Sequence, residues 1–157
     1  MTLKESDKAP NFNLSDQEGK KIKLADFKGQ WLLLFFYPKD NTPGCTKEAC
    51  AVQDHLKEFN KLKFAVVGAS PDSVASHRKF ADKFGLKFPL LADEEKTLVN
   101  DYGVWGKKKF MGKEYMGVNR SSFLIDPKGK IAKIYFKVKP EHHAAEVLAD
   151  FKTLTAS

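Results

Sequence analysis

The sequence predicts an α/β fold in which a central mixed sheet, flanked by helices, follows an N-terminal hairpin extension. Three observations carry this reading. An unbroken apolar run from Trp31 to Tyr37, bounded by Gly29 and Pro38, has the pattern of a central strand covered on both faces. After it, Cys45, Ala49, Val52, Leu56 and Phe59 recur at alternating steps of four and three, which puts their side chains on one helical face. Farther on, Ser121 to Ile125 and Ile131 to Phe136 flank Asp126-Pro127-Lys128-Gly129, a turn with Pro second and Gly fourth, and so form an antiparallel hairpin.

The remaining elements fall into place in chain order. Phe12-Asn13-Leu14 and Ile22-Lys23-Leu24 are short alternating pieces separated by Asp16-Gln17-Glu18-Gly19, a small hairpin leading into the core. Between the first core strand and the helix, Pro38-Lys39-Asp40-Asn41-Thr42-Pro43-Gly44 is dense in turn formers, and Pro43 suits the first position of a helix of about four turns. Phe64 to Ala69 is a second buried strand. Ser70-Pro71-Asp72 then offers a capping hydroxyl and an N-terminal proline to a helix running to Phe84 and ended by Gly85. Pro89 to Ala92 reads as a short extended piece, and Asp93-Glu94-Glu95 places acids at the start of a short helix ending before Gly103. Residues 104–119, rich in Gly and Lys with Trp105, Phe110, Tyr115 and Met116 interspersed, read as a loop or irregular hairpin. Pro140-Glu141 opens a last helix to Leu154. Strand, helix, strand, helix, insertion, two hairpin strands, helix is the order of a thioredoxin-like fold.

With 157 residues the chain fits one domain spanning 1–157. Its 42% hydrophobic and 12% aromatic content supplies enough apolar surface to oppose chain entropy, which excludes a disordered chain. The longest apolar stretch is far too short to cross a bilayer, so no membrane partner is expected. Met1-Thr2-Leu3-Lys4-Glu5 lacks the charged-then-apolar pattern of a secretory leader, which makes a cytoplasmic location the default. The net charge of +7 invites a nucleic-acid reading. Against it, the lysines are spread over every segment and mixed with acids, and the run Lys107-Lys108-Lys109 reads as a solvated loop, so no nucleic-acid partner is expected. His55, His77, His142 and His143 have no metal-site spacing with the cysteines, and His142 and His143 are read as facing solvent from the first turn of the last helix.

Two cysteines in a reducing compartment are reactive groups, ligands or core filler rather than a permanent staple. Cys45 stands where a core strand has ended, a Pro- and Gly-containing loop has turned and a helix begins, so its sulfur faces the positive end of the helix dipole. A free thiol ionises near pH 8.5 and only the thiolate attacks peroxides or disulfides well, so activity near neutral pH requires about 3 kcal/mol in favour of the anion. The dipole contributes about 1 kcal/mol and burial opposes it, so a hydroxyl or a cation must help. Thr42, three residues earlier in the same turn, offers a hydroxyl, though the same group serves equally to bond the turn backbone.

The stretch Phe36-Tyr37-Pro38-Lys39-Asp40-Asn41-Thr42-Pro43-Gly44-Cys45-Thr46-Lys47-Glu48-Ala49-Cys50, with its Pro-x-x-x-Thr-x-x-Cys spacing, resembles the active-site segment of peroxiredoxins of the bacterioferritin comigratory protein or peroxiredoxin Q group. Similarity extends over nearly the whole chain through Val67 to Asp72, Phe88 to Asp93, Tyr102 to Gly106 and Arg120 to Asp126. The resemblance implies a thioredoxin-dependent peroxidase reducing hydrogen peroxide and organic hydroperoxides. Cys45 would be the peroxidatic nucleophile, Thr42 would bond sulfur and peroxide, and Arg120 would supply the cation. Pro38 would shield the pocket, and the N–H groups of Gly44 and Cys45 would hold the peroxide oxygens. Cys50 would resolve the sulfenic acid as an intramolecular disulfide, recycled by thioredoxin or a similar dithiol reductant, in a monomer needing neither metal nor organic cofactor. Glu48 would brace Arg120 or serve as a first-turn acid; Trp105 would line the pocket or simply pack. The rival reading, a thiol-disulfide oxidoreductase of thioredoxin type, would be expected to carry Cys-x-x-Cys rather than a five-residue step.

That step has a geometric consequence. On a helix, five residues put Cys50 about 140° around and about 7.5 Å along from Cys45, beyond the roughly 7 Å between Cα atoms that a disulfide tolerates. The bond therefore requires the first turn or more of the helix to unwind.

Overall fold

A computed structural model describes residues 3–136 and 138–155. Met1 and Thr2, read above for a leader, lie outside the described residues. The N-terminal extension is an antiparallel pair, β1 (Asn13–Ser15) and β2 (Lys21–Lys23), followed by a 3-10 turn at Leu24–Phe27 and strand β3 (Trp31–Phe36). Helices α1 (Pro43–Asp54) and α2 (Leu56–Lys61) lead to β4 (Phe64–Ser70), α3 (Val74–Phe84), β5 (Leu90–Ala92) and α4 (Thr97–Asp101). The hairpin β6 (Trp105–Phe110) and β7 (Lys113–Val118) precedes β8 (Ser121–Ile125), β9 (Ile131–Phe136) and α5 (His143–Thr155).

The main sheet has the order β5-β4-β3-β8-β9, parallel among β3, β4 and β5 and antiparallel from β3 through β8 to β9. Successive side chains of a strand point to opposite faces, and β3 is apolar throughout because both of its faces are covered. Leu33 and Phe35 pack with Cys45, Ala49 and Val52 of α1 and with Val147 and Phe151 of α5. Leu32, Leu34 and Phe36 pack on the opposite side with Leu98 and Val99 of α4 and with Phe12 and Ile22 of the N-terminal extension. Among the described residues no helix is long and apolar enough to cross a membrane.

At Gly68 on β4, a Cβ would lie 2.8 Å from Phe35 and 3.0 Å from Leu90, two fully buried side chains. Gly68→Ala is expected to lower the free energy of unfolding by about 1–3 kcal/mol through overpacking, readable from urea denaturation.

The expected four-turn helix is two helices. At His55 (φ −99°, ψ 3°) the imidazole Nδ1 lies 2.9 Å from the Ala51 carbonyl, while the His55 N–H tightens onto Val52. Side chain and backbone compete for one acceptor, and the ladder breaks there. The helix after β4 starts later than Ser70. Ser73 is its cap, accepting the Ser76 N–H at 3.1 Å, because Ser70 ends β4 and donates its hydroxyl to Asp72 Oδ2 at 2.6 Å. Residues 105–118 form a regular hairpin in continuous register from Trp105↔Val118 to Phe110↔Lys113. It closes through Met111 and Gly112, both at positive φ, as a tight two-residue turn requires.

The last helix begins at His143, three residues past Pro140, and His143 does not face solvent. It is 1% exposed, with Nε2 2.7 Å from the Ser122 hydroxyl and Nδ1 3.1 Å from Glu146. Partners at both nitrogens let a histidine enter the core, and burial pushes its pKa down.

Candidate active site

At the C-terminal end of β3 the chain turns through residues 38–42 into α1. Thr42 is extended (φ −92°, ψ 155°) as the cap residue, and Pro43 takes the first helical position, where its missing N–H costs nothing. The first bond of the helix joins the Thr46 N–H to the Thr42 carbonyl at 2.8 Å. The amides of Gly44 and Cys45 therefore have no acceptor within the helix and supply its positive end. Cys45, 1% exposed, lies on the α1 stripe that packs against the sheet.

The cation comes from the neighbouring strand. Ser121 of β8 pairs with Phe36 of β3, so Arg120 stands just beyond the end of the strand that feeds the helix. Its Nη2 donates to Cys45 Sγ at 3.2 Å and its Nη1 to Glu48 Oε1 at 3.0 Å. Gly44 permits this approach, since a Cβ there would sit 3.1 Å from Nη2. Burial alone would pull the guanidinium pKa down, but the charges of Glu48 and Cys45 outweigh it and hold Arg120 above its ordinary value. Glu48 is 0% exposed, and its Oε2 has no hydrogen-bond partner among the described residues. Burial pushes its carboxyl up to about 7 despite the opposing pull of Arg120. One guanidinium is thus shared by sulfur and carboxylate.

Thr42 is beside the site, but its hydroxyl donates to the Lys39 carbonyl at 2.9 Å, the turn-bonding alternative. Among the described residues no hydrogen bond joins it to Cys45; the free lone pairs of its oxygen can still accept a hydrogen bond from a ligand. Pro38 is half-buried in the loop before it. Cys50 is half-buried and off the apolar stripe, and burial, with the Asp54 carboxylate, pushes its thiol pKa up. Both cysteines are free. Of the two readings of Glu48, the structure has the Arg120 partner. Trp105 is half-buried against the apolar cluster that includes Leu98 and Tyr102, with the Lys96 ammonium 5.5 Å from its ring.

Two features escaped the sequence. Lys108, inside the run read as solvated, turns back along the hairpin so that its Nζ donates to the Val118 carbonyl at 2.9 Å. Burial and then the Arg120 charge lower its pKa, while Cys45 raises it, so this ammonium senses the site. The signal was present as alternation, since Lys107 and Lys109 lie on the other face of β6. The second is a buried cluster of Tyr37, Asp40 and His77. Ligand atoms of Asp40, Asp72 and His77 lie within 4.8 Å of one another, but each of the three side chains already has hydrogen-bond partners in the protein.

Residues 6–134 match the AhpC/TSA family. The chain is 46% identical over 155 residues to Peroxiredoxin Bcp of Bacillus subtilis (strain 168), covering 99% of each. It is 46% identical over 146 residues to Peroxiredoxin Bcp of Escherichia coli (strain K12), covering 93% of this chain and 94% of that one. A crystal structure of a cysteine-to-serine mutant of Xylella fastidiosa PrxQ superposes with a TM-score of 0.93 at 35% identity, covering 98% of both chains. Xanthomonas campestris Peroxiredoxin Q, also as a cysteine-to-serine mutant, gives 0.87 at 40% identity and 92% of both. The thioredoxin-like sheet, the loop-to-helix cysteine and these likenesses converge, and the chain belongs to the AhpC/TSA family, among the peroxiredoxins of the Bcp and Q group.

Proposed function

We propose that Cys45 is the peroxidatic nucleophile of this thiol-dependent peroxidase, that Arg120 and the α1 N-terminus hold its anion, and that Cys50 is its resolving partner. The observation that carries the reading is the 3.2 Å contact from Arg120 Nη2 to Cys45 Sγ at a helix start with unpaired amides. The anionic sulfur attacks the terminal oxygen of a hydroperoxide. An S–O bond forms as the O–O bond breaks, sulfur is oxidised to sulfenic acid, and the departing alkoxide or hydroxide takes up a proton. The amides of Gly44 and Cys45 and the guanidinium face the separating oxygens, where donors lower the barrier as in an oxyanion hole, while the Thr42 oxygen accepts the hydroperoxide O–H. Pro38 covers the reacting sulfur. Hydrogen peroxide and organic hydroperoxides share the bond that breaks, and both are substrates in this reading.

Cys50 then attacks the sulfenic sulfur. The S–S bond forms, hydroxide leaves, and the proton released by the Cys50 thiol completes a water molecule. In the folded state Cys50 is five residues along α1 from Cys45, too far to bond, so the first turn of α1 opens in every cycle. Electrons to reopen the disulfide come from an external dithiol, thioredoxin or a similar protein, and a cytoplasmic location would keep both thiols reduced between turnovers. The five-residue step disfavours a thioredoxin-type exchange enzyme.

Mass spectrometry after one equivalent of hydrogen peroxide tests the assignment. Wild type should gain the mass and peptide map of a Cys45–Cys50 disulfide, Cys50→Ser should stop at a sulfenic acid on residue 45, and Cys45→Ser should be unchanged. A Cys45→Ser protein that consumes peroxide like wild type would remove Cys45 from the mechanism.

A further inference from the structure

Five residues before Cys45, the loop entering α1 is fastened by a buried polar cluster for which the proposed chemistry has no use. The Asp40 carboxylate accepts the Tyr37 hydroxyl at 2.6 Å on Oδ1 and the Ser76 hydroxyl at 2.8 Å on Oδ2. The same Oδ2 lies 2.7 Å from His77 Nδ1. The Asp40 N–H donates to Asp72 Oδ2 at 2.8 Å. His77, 0% exposed, sets Nε2 2.8 Å from the Leu91 carbonyl of β5. That carbonyl can only accept, so Nε2 is placed to donate to it, while Nδ1 faces the Asp40 carboxylate and, at 3.4 Å, the Tyr37 hydroxyl. The partners stand on β5 and α3, at the end of β3, and in the turn between β4 and α3, where Ser70 bonds Asp72.

Directly after this anchor, Asn41 is held at φ 60°, in the left-handed region that asparagine enters more readily than most side chains, and its Oδ1 accepts from Lys83 Nζ at 3.3 Å. Thr42 follows in extended conformation and α1 begins. This left-handed residue is held between a fixed point and the first helical turn, and freeing either end releases it to the extended conformations.

We infer that His77 is a positioning residue for the resolving step: through Asp40 it holds the loop in the shape that the first turn of α1 requires, and so sets how often that turn opens to bring Cys45 to Cys50. The inference rests on the assignment of Cys45 and Cys50 above. With the anchor weakened, the freed loop favours the opened turn. Disulfide formation then speeds up, attack on peroxide slows because the folded pocket is less populated, and Cys45 is better protected from over-oxidation. In over-oxidation a second hydroperoxide forms an S–O bond at the sulfenic sulfur, its O–O bond breaks, and sulfinic acid results; this competes directly with Cys50.

The test compares wild type with His77→Gln and with Tyr37→Phe, which removes one hydroxyl and keeps the ring. Rapid-quench mass spectrometry gives the rate of disulfide formation, and the peroxide concentration that converts half of Cys45 to sulfinic acid is measured during turnover with dithiothreitol. Both should rise about tenfold in His77→Gln, the factor that one lost buried hydrogen bond carries, and in the same direction by less in Tyr37→Phe. Amides of residues 43–50 should exchange faster while those of α5 do not. If both quantities stay at wild-type values while thermal stability falls, His77 is only structural and the inference is overturned; Tyr37→Phe decides alone if His77→Gln fails to fold. A wild type whose peptide map lacks the Cys45–Cys50 bond overturns the underlying assignment instead.

Discussion

Arg120→Met should slow oxidation of Cys45 by hydrogen peroxide by about 10²–10³-fold, the range found when a donor aimed at developing charge is removed from a water-poor site. The guanidinium bonds both the sulfur and Glu48, so its loss removes the one cation in hydrogen-bonding contact with Cys45 among the described residues and also deprives a buried carboxyl of its partner. Breaking a buried pair on one side costs roughly 3–5 kcal/mol if the remaining charge persists. Glu48 can escape part of that cost by taking up a proton, so the loss of stability should be smaller than the loss of rate suggests. Arg120→Lys keeps a positive charge without the fork that spans two acceptors, and should fall between. Stopped-flow measurement of the single-turnover rate at several peroxide concentrations decides the matter: equal second-order constants for Arg120→Met and wild type would show that the 3.2 Å contact does nothing for the reaction.

A second large effect concerns pH. Folded Glu48 titrates at about 7 against 4.5 for the ordinary carboxyl, chiefly because burial penalises its charged form. Between those values the folded chain holds a proton that the unfolded chain has released. The contribution of Glu48 to stability is therefore complete below about pH 4.5, declines as pH rises, and is gone above about pH 7, a change on the order of 3 kcal/mol. Glu48→Gln is uncharged at every pH and removes this dependence. Urea unfolding of both proteins from about pH 4 to about pH 8 should give a difference curve in which wild type loses ground steadily as pH rises. A flat difference curve would mean that the Glu48 carboxyl titrates alike in the folded and unfolded chain.

The parts of the fold that were legible in the sequence are those whose cause is local. The apolar run in β3 and the four-three stripe of α1 follow from periodicity alone, and Pro127 with Gly129 determines the β8–β9 turn. The break at His55 was hidden because it depends on a side chain competing with its own helix for the Ala51 carbonyl. His143 was misplaced for a related reason: polar residues are expected outside, and only the fold reveals that Ser122 waits inside to satisfy it. In the site, Cys45 and its helix start were readable from the loop and its proline. Arg120 was not, except through family resemblance, since nothing in the spacing of residues so distant in sequence signals contact. Glu48 gave a clue, standing one helical turn beyond Cys45, but its burial required the fold. The Asp40–His77 pair, 37 residues apart, left no pattern at all.

The sulfur and the guanidinium that meets it are 75 residues apart in the chain, and they come together only because β8 lies antiparallel on β3. A polypeptide still emerging from the ribosome, with α1 made but residue 120 not yet added, has the helix start without the guanidinium. In the proposed mechanism, full readiness toward oxidants therefore arrives only with completion of the sheet, and any event that peels β8 away parts the sulfur from its cation.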